Sequence, residues 1–207
     1  MKKRIGKVNY IVEVGDITKI STDILFLWTV GKLNQGDPIW KKIHRAAGSV
    51  LYEDGLMSLT QYGIKDLTGE TFLPPSRCIV SRAGFLDVYH IIQCILPNKK
   101  VKEENNVKDM FLTRTFQNAL MLADTVASAE VPMYKLTFYP ISELICGEIT
   151  EENVKTFWKM ILELKNFKEI KMICENEKEY KFYSSILEKM TTPKWERILN
   201  KVFKNKF

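Results

Sequence analysis

Little in this sequence is spaced for nucleophilic or metal chemistry. Its two histidines, His44 and His90, lie far apart, and its four cysteines, Cys78, Cys94, Cys146 and Cys174, include no C-x-x-C pair. Each cysteine sits in an apolar run, the setting of a reduced, buried thiol in a cytosolic protein. No zinc site or other metal centre is expected, and no cofactor is implied. What remains are carboxylates and glycines where apolar runs end. Asp16 follows Gly15 after the first such run and suits a turn. Gly36-Asp37-Pro38 places a carboxylate at a helix start, with Asp37 as N-cap and Pro38 in the first helical position. A carboxylate there satisfies helix amides itself; Asp37 or Glu143 is also the kind of group that activates a water.

The elements that must position these residues follow from patterning. Val8 to Val14 alternates and is rich in β-branched residues, which predicts a strand. Asp23 to Trp28 is continuously apolar, as in a strand covered on both faces. A helix runs from Pro38 to about Ala47, where Gly48 offers a stop. Cys78 to Ser81 and Val88 to Leu96 read as strands, and the charged stretch Lys99 to Lys108 reads as a solvated loop. Phe111 to Val126 carries apolar residues at helical spacing, and Tyr134 to Tyr139 is a strand followed by a loop reaching Gly147. Thr150-Glu151-Glu152 opens another helix with a cap and first-turn acids. Glu169 to Cys174 is a strand and Lys178 to Leu187 a helix. This alternation predicts an α/β fold, a mixed central sheet with helices on both faces.

The 207 residues suffice for one domain with a sizeable core, and the 45% hydrophobic and 27% charged content is that of a globular chain. The net charge of +6 suits anionic partners, nucleotides or nucleic acid among them, without selecting one. Met1-Lys2-Lys3-Arg4 looks like the start of an export signal, but Glu13 and Asp16 interrupt the apolar run behind it. No window is long enough to span a bilayer. A cytoplasmic location is the expectation.

Residues 1–190 are expected to form the domain and 191–207 a helical extension. In that extension Thr192-Pro193 is a helix start. Trp195, Ile198, Leu199, Val202 and Phe203 fall on one stripe, with Lys194, Arg197, Lys201 and Lys204 opposite. Such a basic amphipathic helix either docks on the domain or meets a membrane surface or nucleic acid.

The order of motifs resembles the macrodomain family, the ADP-ribose-binding module. Val14-Gly15-Asp16-Ile17-Thr18, Thr22-Asp23-Ile24-Leu25 and Ile43-His44-Arg45-Ala46-Ala47-Gly48 match the family's G-D-I-T, V-D-A-I-V-N-A-A-N and I-H-R-A-A-G, ungapped from Asp23 to Gly48. Val88 to Pro97 and Tyr139-Pro140-Ile141-Ser142 fall where the family has v-I-H-x-V-g-P and F-P-x-I-S-T-G. The similarity covers roughly Ile5 to Leu187 and implies a three-layer α/β/α macrodomain fold. In that family a diphosphate rests on backbone amides of two glycine-rich loops. An acid of the first motif accepts the adenine amino group, and an aromatic late in the chain stacks on the base.

Carried over residue by residue, the resemblance implies a degenerate site. Asp16 and Ile17 keep the adenine-reading pair. The asparagines of N-A-A-N, which hydrogen-bond the distal ribose, are Leu27 and Val30; each orphaned hydroxyl costs roughly 1–3 kcal/mol. The glycine run retains only Gly36, followed by Asp37 and by Pro38, which has no N–H. The catalytic aspartate of V-D-G is Trp40. The second phosphate loop becomes Ser142, Glu143, Leu144, Ile145, Cys146 and Gly147, with Gly147 kept, Leu144 in place of a glycine, and Glu143 adding negative charge. A carboxylate about 5 Å from a phosphate costs roughly 1–3 kcal/mol, so Asp37 and Glu143 together predict a loss of about two or more orders of magnitude in affinity unless lysines compensate. Glu175 stands where the stacking aromatic is expected, with Phe182 and Tyr183 nearby in sequence. His44 belongs to a helix face rather than to the chemistry. The expected function is a non-catalytic module that binds ADP-ribose or a related nucleotide weakly. The alternatives are a scaffold for protein or nucleic acid with a self-filled cleft and, less favoured, an ADP-ribosyl hydrolase.

Overall fold

Apolar runs covered on both faces force the central strands into the middle of a layered fold, and the computed structural model, which describes residues 1–33, 36–99, 105–129 and 134–192, has that arrangement. In chain order the elements are β1 (Lys2–Ile5), β2 (Val8–Val14), a 3-10 turn (Ile17–Lys19), β3 (Thr22–Thr29), α1 (Pro38–Ala47), α2 (Ser49–Tyr62), β4 (Ile64–Lys65), β5 (Thr71–Phe72), β6 (Cys78–Arg82) and β7 (Val88–Ile95). They continue with α3 (Asn105–Ala129), β8 (Lys135–Phe138), α4 (Glu143–Cys146), α5 (Glu151–Ile161), β9 (Glu169–Cys174) and α6 (Glu177–Thr191).

Among the described residues, seven strands form one mixed sheet in the order β1-β2-β9-β8-β3-β7-β6. The interior pairs β2–β9, β9–β8, β8–β3 and β3–β7 are parallel, while β1 and β6 close the edges antiparallel. Helix α5 packs between α3 and α6 along one face, and α1 packs on α2 along the other. This is a three-layer α/β/α arrangement.

The sheet is locked beneath its carboxyl edge by an aromatic knot. Trp28, at the end of β3, is fully buried. Its backbone N–H donates to the Tyr139 hydroxyl (3.2 Å), and its indole N–H donates to the Tyr139 carbonyl (2.7 Å). Phe26, Phe116 and Phe157 surround the indole edge-on, at centroid separations of 5.7, 6.4 and 5.9 Å. At the opposite end of the same strands, Asp23 accepts from the amides of Tyr134 and Lys135 at 2.7 and 2.8 Å and so fixes where β8 begins.

The caps of α1 and α5 fall as patterned: Asp37 and Thr150 are N-caps, Gly48 ends α1, and Thr150 forms a reciprocal capping box with Asn153. Two expectations are corrected. The charged stretch Lys99 to Lys108 is not a loop throughout, because α3 begins at Asn105 and Asn105–Lys108 are helical. The loop after Tyr139 contains the one-turn α4. Helix α2, strand β1 and the small β4–β5 hairpin carry no signal that was read from the sequence. The proposed terminal helix, from Pro193 onward, lies outside the described residues. Among the described residues no helix is long and apolar enough to cross a membrane.

The Trp28–Tyr139 lock generates a stability prediction. Trp28→Phe keeps an aromatic ring but strands the buried Tyr139 carbonyl and opens a small void, so urea unfolding should show a loss of about 2–4 kcal/mol. A loss under about 1 kcal/mol would show that the lock is not a principal support.

Candidate functional site

Because β2, β9, β8 and β3 run parallel, their carboxyl ends meet at one edge of the sheet, and the segments leaving them line a cleft there. The cleft has two compartments. The larger, about 640 Å³, is walled by Asp37 and Pro38 from α1's start, by Pro140 to Leu144, by Glu175, Asn176, Lys178 and Glu179, and by Phe182 and Tyr183 of α6. The smaller, about 300 Å³, is walled by Val14 to Ile17, Lys42 and Ile173. Ile39 and Glu175 border both.

At the first loop the start of α1 is already occupied by a carboxylate. Asp37 is 2% exposed. Its Oδ1 accepts from the Trp40 amide at 2.7 Å, while Oδ2 is buried with no hydrogen-bond partner among the described residues. Burial, reinforced by the nearby Glu175 and Glu179 charges, pushes the carboxyl up to about 6 even though the Trp40 and Ile39 amides oppose the shift.

The second loop has likewise turned its donors inward. Ser142 caps α4, its hydroxyl accepting from the Leu144 amide at 3.2 Å; the Ile145 amide donates to the Ser142 carbonyl and the Gly147 amide to the Glu143 carbonyl. Gly147 sits at φ +76°, a left-handed conformation that ends the turn. The side chains of Ile145 and Cys146 point into the core, where burial pushes the Cys146 thiol up to about 11. Glu143 and Leu144 face solvent along the cleft, Leu144 being 61% exposed.

Leu27 and Val30 are core residues. Trp40, 8% exposed, lies directly on Gly36: a Cβ at Gly36 would come within 2.2 Å of the indole. Gly36 therefore makes room for the protein's own tryptophan. Trp40 also stacks on His44 with ring centroids 3.9 Å apart. His44 Nε2 is buried without a partner, and burial lowers the imidazole to about 4, so it packs as a neutral ring.

In the smaller compartment Asp16 accepts from the Thr18 amide (3.0 Å) and hydroxyl (2.7 Å), which lowers its carboxyl and organises the turn after β2. Beside it, Lys42 of α1 is ion-paired with Glu175. Glu175 thus forms a polar partition where a stacking ring was expected, and Phe182 and Tyr183 line the larger compartment instead. Lys42, Ile39, Asn176, Lys178 and Glu179 were not read as site residues from the sequence. The Asn176-x-x-Glu179 spacing was the available clue: Asn176 caps α6, and Glu179 accepts from the Glu175 amide. Among the described residues no cluster of three or more His, Cys, Asp or Glu is placed to hold a metal ion.

Two opposite titrations follow. Asp37 is raised on folding, so its contribution to stability is complete below pH 3.8 and lost as pH rises through about 6. His44 is lowered, so its contribution is complete above pH 6.5 and lost as pH falls through about 4. Between those limits the two slopes offset each other. Asp37→Asn keeps a capping oxygen but removes one slope. In thermal melts it should be more stable than wild type by about 1–3 kcal/mol near pH 8, with a new loss of stability on acidification. A variant that tracks wild type at every pH contradicts this assignment.

No established sequence-family profile matches the chain. It is 26% identical over 189 residues to a protein of Shigella dysenteriae serotype 1 named O-acetyl-ADP-ribose deacetylase, covering 90% of this chain and 97% of that one. Its structure resembles that of an Oceanobacillus iheyensis macrodomain with ADP at a TM-score of 0.76 and 24% identity, covering 92% of this chain and 95% of the other. A Trypanosoma brucei macrodomain in complex with ADP superposes at a TM-score of 0.67 and 15% identity, covering 86% and 68%. Strand order, the cleft at the carboxyl edge and similarity along nearly the whole chain identify the fold as that of a macrodomain, in a divergent form.

Proposed function

We propose that this protein is a non-catalytic, macrodomain-type binding module whose cleft takes a nucleoside-like ligand and has lost its hold on diphosphate. One observation carries the reading: the amides of both strand-end loops are bonded to Asp37, Ser142 and Glu143 of the chain itself. A diphosphate entering there must displace an internal carboxylate and meet Glu143 and Glu175 as well. What remains open is the compartment beside Asp16 and Ile17, with apolar walls from Ile39 and Ile173 and a carboxylate for an exocyclic amine.

Hydrolysis of the kind named for the bacterial relatives requires a group that orients or activates a water. Trp40 has no such chemistry, and Asp37 is held on helix amides. Leu27 and Val30, where the resemblance implies distal-ribose contacts, carry no side-chain group that can hydrogen-bond. Packing of Trp40 onto Gly36 favours a second reading, a scaffold whose ribose end is permanently filled by its own side chains. A cytoplasmic location and contact with nucleic acid belong to the same reading, the latter supported by the net charge of +6.

Calorimetric titration with ADP-ribose should give a dissociation constant of about 1 mM or weaker, and O-acetyl-ADP-ribose should not be turned over above the buffer rate. Adenosine should bind at least as well as ADP-ribose, and Asp16→Ala should weaken it by about tenfold. Micromolar ADP-ribose binding or enzymatic turnover would overturn the proposal.

A further inference from the structure

The larger compartment carries a charge pattern that does not belong to a phosphate site. Among the described residues, four carboxylates line it, on Asp37, Glu143, Glu175 and Glu179, against one lysine, Lys178. Lys42 partly offsets Glu175 from the neighbouring compartment, and Glu179 has one oxygen committed to the Glu175 amide. Among the described residues Glu143 forms no ion pair, and it projects from the first turn of α4. Beneath these lies Asp37, almost entirely buried in the cleft wall, with Oδ2 unpaired. An orphan carboxylate oxygen in a buried wall is costly unless something of opposite charge or a hydrogen-bond donor approaches it. Apolar surface flanks the acids: Leu144 is 61% and Phe182 39% exposed. Acidic groups above an apolar floor suit an organic cation, whose charge meets the carboxylates while its stem covers Leu144 and Phe182.

We infer that the larger compartment accepts a cationic group, an ammonium or guanidinium on a short apolar stem, so that the ligand of this cleft is a nucleoside whose substituent is positively charged where macrodomain ligands carry phosphate. The inference rests on the reading of the cleft as a nucleoside-binding module, and it inverts the charge of the expected ligand. The carboxylates reject an anion and select a cation by the same field.

A matched series separates the two halves of the site: adenosine, 5′-amino-5′-deoxyadenosine and adenosine 5′-monophosphate share one nucleoside and differ in charge, and agmatine supplies the cation alone. Titrations near neutral pH and low salt should rank the amine about tenfold tighter than adenosine, and the monophosphate about tenfold weaker. Added salt should compress the order. Glu143→Gln, a solvent-facing change, should reduce the preference for the amine severalfold, as should Asp37→Asn. Glu53→Gln, on the exposed side of α2, should leave it unchanged. Saturable agmatine binding without any nucleoside binding retains the cation site and removes the nucleoside reading. Adenosine binding with no preference for the amine, or a preference for the monophosphate, overturns the inference while leaving the nucleoside reading intact. Failure of every probe removes both.

Discussion

The Asp37 carboxylate on the first amides of α1 is the contact on which the rest of the cleft depends. A helix start offers unpaired N–H groups and a partial positive charge, which is why this end of the fold suits an anion. Here the anion is covalently part of the chain. Oδ1 meets the Trp40 amide, fixing the first turn of α1, and that turn sets Trp40 over Gly36 and Lys42 toward Glu175. An internal carboxylate is at an effective concentration no free ligand matches. The cost appears in its second oxygen, left unpaired in the wall, and in a proton held more tightly than an ordinary aspartate holds one.

The two loops reached the same outcome by different chemistry. In the first a side chain took the amides; in the second the backbone coiled into one helical turn, so that Ser142 and Glu143 satisfy the donors locally. Neither loop retains a row of glycines along which phosphate oxygens could lie. The Lys42–Glu175 pair then divides the remaining space, so that a ligand spanning both compartments has to pass an ion pair about which exposed charges compete.

Much of the fold was legible because its signals are local. The continuous apolar run of β3 and the Asp37-Pro38 and Thr150-Glu151 caps each depend on residues within a few positions of one another. Helix α2 was not legible: its apolar residues are spread around the helix, only Leu51 and Gly55 are buried, and Tyr52, Leu56 and Met57 face outward. Strands of two residues, as in β4 and β5, have no period to detect. In the cleft, Leu27, Val30 and Trp40 stand where the resemblance implies ribose-binding and catalytic groups. The partition could not, since Lys42 and Glu175 are 133 positions apart and their pairing exists only in three dimensions. Nor could the use of Gly36 as a seat for an indole, because a retained glycine looks the same in sequence whichever neighbour it admits.

That seat makes the loop resistant to single substitutions. Exchanging Trp40 for a small acid would leave a hollow over Gly36 and an unsupported charge beneath it, while Leu27 and Val30 still offered no hydrogen bonds. Placing an asparagine at Leu27 first would put an amide into a fully buried strand with nothing to pair it. Each such single substitution is therefore uphill, and the packing of one indole on one glycine holds the loop in its present shape.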